Sequence, residues 1–112
     1  MADLDTLNEL PGALAAFDFD GDGKLVNSRI RDAEVIDEDT LDLLGHLCIA
    51  NMAMAAMQAR GWEGMSDVRG FYPVKGFTFV GLDWSTVARG RQAVVLDNDD
   101  ADFDAAYKAL EG

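Results

Sequence analysis

Chemically versatile side chains are scarce in this chain. One cysteine, Cys48, and one histidine, His46, occur in 112 residues. A single thiol excludes an intrachain disulfide and a cysteine-based metal cluster. Cations are also few: lysine is confined to Lys24, Lys75 and Lys108, and Lys plus Arg number 9 against 21 Asp plus Glu. The net charge of -12 repels phosphates, so neither nucleic acid nor a membrane surface is an expected partner. No uninterrupted apolar run reaches the ~18 residues needed to span a bilayer. The opening stretch MADLDTLNELPG is acidic and holds no apolar signal segment. A cytoplasmic protein is therefore expected. Internal repeats, low-complexity tracts and interdomain linkers are missing too, and residues 1–112 read as one domain.

What is present is apolar and aspartate-rich. The hydrophobic fraction is 49%, enough for a self-sufficient core and against disorder. An Asp-rich, Lys-poor surface stays hydrated at high salt. This fits either a salt-adapted source or an ordinary acidic cytoplasmic protein.

Periodicity predicts an α/β chain in the order helix, two strands, long helix, three strands, helix. Leu4, Leu7 and Leu10 stripe a short first helix, capped by Asp3 or Asp5 and ended by Pro11-Gly12. From Ala13 to Asp20, Ala15, Phe17 and Phe19 alternate with Ala16, Asp18 and Asp20, as on a strand. Gly21-Asp22-Gly23 turns the chain into a second strand, Lys24 to Ile30. A long helix is expected from Asp39 or Thr40 to Arg60, with Gly61 as its stop. A loop, WEGMSDVRGFYP, precedes an antiparallel meander of VKGFTFVGLD, WSTVARG and RQAVVLDN. The last helix is expected to be capped by Asn98 or Asp99 and to bury Phe103, Tyr107 and Leu110.

The long helix carries the strongest signal. A helix lying on one sheet needs an apolar arc somewhat over ~100° wide, with charge opposite. This one is apolar around most of its circumference. If Leu44, Leu47, Cys48 and Met52 face the sheet, Ala50, Ala53, Met54 and Met57 need another cover. That cover is a second copy of the helix, or else the first or last helix of the same chain.

The stretches LPGALAAFDFDGDGKL, CIANMAMAAMQARG, PVKGFTFVGLDWS and ADFDAAYKAL, in this order, resemble the roadblock family, relatives of the dynein light chain of that name, in a small bacterial branch. The resemblance implies an α+β fold, a five-stranded antiparallel sheet with the long helix on one face. It also implies a homodimer built from that helix and the third strand, which carries Phe77 and Phe79. Family members serve as non-catalytic scaffolds or regulators of small GTPases or motor complexes. The expectation is thus a regulatory module that binds itself and a protein partner, a GTPase or a metabolic enzyme complex. A basic partner surface would suit the charge. No cofactor and no enzymatic activity are expected.

Two rival functions rest on particular residues. Asp18, Asp20, Asp22 and Gly23 in FDFDGDGKLVNSR reproduce the first half of a calcium loop. Position 12 should be a bidentate Glu but is Arg29, and the flanks read as strands, so a hairpin is the better reading. The aspartates remain weak metal candidates. An accessory redox or small-ligand sensor would instead use Cys48 or the aromatic residues Trp62, Phe71 and Tyr72, which are also candidate partner contacts. His46 and Cys48 stand two apart on a helix and cannot pair as base and nucleophile.

Overall fold

The computed structural model describes residues 1–111. The elements are α1 (Leu4–Leu7), β1 (Ala13–Phe19), β2 (Leu25–Ile30), α2 (Glu38–Ser66), β3 (Gly76–Val80), β4 (Trp84–Arg89), β5 (Gln92–Asp97) and α3 (Phe103–Leu110). The strands form one sheet in the order β2-β1-β5-β4-β3, and every neighbouring pair is antiparallel. This is the expected α+β class.

Two apolar layers sandwich the sheet. On one face Phe17, Phe19, Ala88, Ala93 and Val95 meet Leu41, Leu44 and Cys48 of α2, with Ile36 closing the layer. On the other face Ala16, Val87, Val94 and Leu96 meet Leu4 and Leu7 of α1 and Ala106 and Leu110 of α3. The central strands are therefore buried on both sides. Ala16, expected on a polar face, is fully buried because α1 and α3 cover it. Buried Gln92 ties the N-terminal segment to the sheet. It exchanges hydrogen bonds with Ala2, accepting from the Ala2 N–H (2.9 Å) and donating to the Ala2 carbonyl (2.6 Å), and it also donates to the Asp18 carboxylate (2.9 Å).

Several expected boundaries are corrected. α2 does not stop at Gly61. It runs through Gly61 and Gly64, around which no side chain or backbone crowds, and ends at Asp67. Asp67 takes the left-handed conformation (φ 57°) and donates its N–H to the Glu63 carbonyl, so it performs the role expected of glycine. The first five residues of the expected loop, Trp62 to Ser66, are thus helix. α3 is capped by Asp102, whose carboxylate accepts from the Ala105 N–H at 3.0 Å, and not by Asn98 or Asp99. Asn98 is used in the β3–β4 corner instead, accepting from the Ser85 hydroxyl (2.6 Å) and donating to the Gly81 carbonyl (2.8 Å). Phe103 is exposed rather than buried, since the inward positions of this short helix go to Ala106 and Leu110. β1 ends at Phe19, β2 begins at Leu25 and β3 spans only Gly76–Val80.

By length and composition alone α2 is long and apolar enough to cross a membrane, although its apolar run is interrupted. Here it is folded onto the sheet. At 1.5 Å per residue its 29 residues extend about 44 Å, close to the molecule's longest extent of 47 Å.

Candidate functional site

The position of α2 on the sheet decides what it leaves bare. The helix packs principally on β1 and β2. Its N-terminal half is held to the β1–β2 hairpin by two close approaches. The Asp42 carboxylate accepts from the Leu25 N–H at 2.9 Å. Gly45 lies directly against Gly23, so closely that a Cβ at Gly45 would sit 2.5 Å from the Gly23 carbonyl oxygen. Gly23 itself has φ +90°, a conformation that favours glycine.

Because α2 sits over β1 and β2, the β3–β4 half of the same sheet face is only partly covered. Phe77 and Phe79, edge to face with centroids 5.0 Å apart, are half-buried there, as is Trp84. Leu47 does not face the sheet as expected. It and Leu44 form one wall of an apolar groove whose other wall is Phe79, Val80, Leu82 and Trp84, enclosing about 460 Å³. Beyond the groove β3 is the sheet's edge, and its outer backbone has no strand partner among the described residues. The helix continues the apolar surface outward: Leu43 is 60% exposed, Leu47 45%, Met54 58% and Met57 75%. Ala50 and Ala53 are also exposed, and Met52 is half-buried. Four of the six expected dimer contacts, Ala50, Ala53, Met54 and Met57, thus lie on open helix surface, and Phe77 and Phe79 line the strand beside it.

The acidic hairpin folds one of its carboxylates, that of Asp20, into its own turn. Asp20 accepts from the Asp22 N–H (2.9 Å) and the Lys24 N–H (3.0 Å). Those backbone bonds, the Lys24 N–H foremost, hold the Asp20 carboxyl below the ordinary aspartate range. Asp18 is engaged by Gln92, and Arg29 donates to Asp5 at 3.1 Å. Among the described residues no group of three His, Cys, Asp or Glu is placed to hold a metal ion.

Cys48 faces the sheet, and burial pushes its thiol up to about 12. A thiol so protonated is a poor nucleophile and redox centre. Since it points inward, two copies cannot meet across a helix–helix contact. The His46 ring is exposed and donates through Nδ1 to the Asp42 carbonyl at 2.7 Å.

The aromatic candidates separate. Trp62 stands on the last turns of α2, while Phe71 and Tyr72 belong to the segment after it. That segment is pinned by Glu63, whose carboxylate accepts from the Gly70 N–H (3.0 Å) and Tyr72 N–H (3.3 Å) and is held below the ordinary glutamate range by those bonds. The Arg60 guanidinium lies 4.3 Å from the Tyr72 ring centroid and donates to its hydroxyl. Tyr72 is thus anchored to α2, whereas Trp62 pairs with neither aromatic among the described residues.

Sequence reasoning missed one cluster. Lys75, Arg89 and Arg91 line a second groove, on the flank of α2 that carries Ile49, Met52 and Ala56. The signal for it was the tripeptide Arg89-Gly90-Arg91, two arginines straddling a hairpin glycine in an acidic chain.

The model of a family described as "Uncharacterized conserved protein (DUF2173)" matches residues 3–112. No curated protein matches the chain. Among solved structures, a Roadblock/LC7 domain from Streptomyces avermitilis superposes with TM-score 0.73 at 11% identity, over 96% of this chain and 86% of that one. An MglB with tetrameric arrangement gives TM-score 0.72 at 16% identity, over 96% and 76%. The gliding protein MglB from Thermus thermophilus gives 0.70 at 16% identity, over 96% and 77%. At these identities the likeness is one of fold, and the fold is that of the roadblock family.

Proposed function

We propose, from the premise that this chain belongs to the DUF2173 family and has the roadblock fold, that it is a homodimeric regulatory module without catalysis of its own. The observation that carries this reading is the uncovered half of the α2 face. An apolar groove, an apolar helix flank and an open sheet edge run side by side from Leu43 to Leu82. Contiguous apolar surface of this kind marks an interaction site. An unpaired edge strand is a template for another chain. A second copy related by a twofold axis meets the same surface with the same surface, so one patch covers two. The opposite edge, β2, exposes the polar Asn27 and Arg29 beside Val26.

The lack of catalytic function is supported by the inward, protonated Cys48 and by His46, whose Nδ1 is engaged with its own helix backbone. Its partner would be a protein, a small GTPase by the roadblock resemblance or else a metabolic enzyme complex, and a basic partner surface would complement the net charge of -12. Light scattering after size exclusion tests the reading. The wild-type chain should elute as a dimer at micromolar concentration. Leu47→Asp combined with Met54→Asp should elute as a monomer with an unchanged circular dichroism spectrum. A wild-type monomer would overturn it.

A further inference from the structure

The second groove has a different character. It encloses about 630 Å³ where α2 passes the ends of the strands. Ile49, Met52 and Ala56 form an apolar wall about 10 Å long on the helix. Lys75, Arg89 and Arg91 line the groove with that wall, and among the described residues no carboxylate does. Three of the chain's nine basic residues thus gather at one groove. None of the three makes an ion pair among the described residues, whereas Arg29 and Arg69 both do. Gly21 makes room for this arrangement: a Cβ there would sit 3.2 Å from Nη1 of Arg91, so the absence of a side chain lets the guanidinium lie against the β1–β2 turn.

We propose that this groove binds an amphipathic organic anion, a molecule with a phosphate, sulfonate or carboxylate head and an apolar body. The head sits between Arg89, Arg91 and Lys75, where guanidinium forks make paired, charge-assisted hydrogen bonds to planar or tetrahedral oxyanions. The body lies on Ile49, Met52 and Ala56. The volume falls within the range of small-molecule sites, about 300–1,000 Å³, and a mostly apolar wall with a few convergent polar groups is their usual composition. The groove opens on the flank of α2 opposite Leu47 and shares Ala53 at its border with the self-association surface proposed above.

Two fluorescent probes that differ only in charge test this. 8-Anilinonaphthalene-1-sulfonate carries a sulfonate on an apolar body, and N-phenyl-1-naphthylamine has the same body without it. The sulfonate probe should bind the wild-type protein with saturable affinity that falls as sodium chloride rises. Arg89→Gln combined with Arg91→Gln should weaken it about tenfold or more, with the neutral probe unchanged. Gly21→Ala, which displaces Arg91 without removing it, should give a smaller loss. Leu82→Ser, in the other groove, should leave sulfonate binding intact. Equal sulfonate affinity in wild type and the double variant would overturn the proposal, as would loss on Leu82→Ser instead. A hexaglutamate peptide that binds through the same arginines while the sulfonate probe does not would also overturn it, in favour of an acidic protein segment.

Discussion

Helix α2 contains three glycines, and the structure assigns them opposite consequences on replacement by alanine. In an open helix interior, Gly→Ala gains about 1 kcal/mol from backbone propensity. Gly61 is in open space, so Gly61→Ala should show most of that gain. At Gly45 the new methyl would lie 2.5 Å from the Gly23 carbonyl oxygen and 3.1 Å from Phe19 Cβ. Ordinary contact distances are about 3.5 Å, so helix or hairpin must yield by the better part of an ångström. Neither yields easily. The hairpin is closed by Asp20 N–H to Lys24 O at 2.9 Å and tied to the helix by Asp42. Overpacking of this kind costs about 1–3 kcal/mol, and the rigid backbone on both sides puts it near the upper end. After the propensity gain, Gly45→Ala should destabilise by about 1–2 kcal/mol. For a domain of this size that lowers Tm by about 4–10 °C. Urea denaturation followed by circular dichroism, at one protein concentration so that self-association contributes equally, gives the comparison. If Gly45→Ala raises the midpoint as Gly61→Ala does, the backbone contact between α2 and the hairpin is refuted.

The remaining expectations concern single groups. Thr86 of β4 is fully buried and its hydroxyl has no hydrogen-bond partner among the described residues, so Thr86→Val should stabilise by about 1 kcal/mol in the same denaturation assay. Cys48 should react with iodoacetamide at neutral pH only after urea unfolding. Because its folded value is raised to about 12 while the unfolded thiol ionises near 9, stability should also decline as pH rises above 9, and Cys48→Ala should flatten that decline. Glu63 has a lowered folded value, so its hold on residues 70–72 is complete above the ordinary glutamate value of 4.5 and is lost as pH falls through the lower folded one. The protection factors of the Gly70 and Tyr72 amides, taken against the intrinsic exchange rate at each pH, should fall on acidification, and in Glu63→Ala they should be low already at neutral pH.

The strands and the long helix were legible because each is decided by local pattern: Phe17 and Phe19 alternate, and α2 stays apolar for turn after turn. The boundaries that slipped are those where several residues compete for one role. Gly61 has the composition of a stop, but the chain turns at Asp67, whose left-handed backbone no sequence rule prefers over a nearby glycine. Asn98, Asp99, Asp100 and Asp102 are all plausible caps, and the choice fell to Asp102 because Asn98 was already committed to Ser85 and Gly81. The half calcium motif failed for a related reason: Asp20 turns inward to close its own hairpin. Leu47 was misassigned because helical spacing gives the faces of α2 but not its lateral position on the sheet. That position depends on the Gly23–Gly45 contact, a tertiary fact between residues twenty-two apart.

The all-round apolarity of α2 now divides into three functions. One arc, through Leu41, Leu44 and Cys48, is core. A second, through Leu43, Leu47 and Met54, borders the open sheet edge, and a third, through Ile49, Met52 and Ala56, backs the basic groove. The surrounding acidity sharpens the last two. Two chains of charge -12 repel at long range, and at physiological salt that repulsion reaches only about 8 Å beyond the surface. Association therefore requires a patch from which carboxylates are withdrawn and in which apolar burial outweighs the residual repulsion. The β3-side flank meets that requirement, with Asp83 the sole acidic residue lining its groove. For an anionic ligand the same field is a barrier everywhere except where cations gather, and the strand-end groove is where three of the nine do. On so acidic a molecule the informative surface is where the carboxylates are missing, and both such surfaces adjoin one helix.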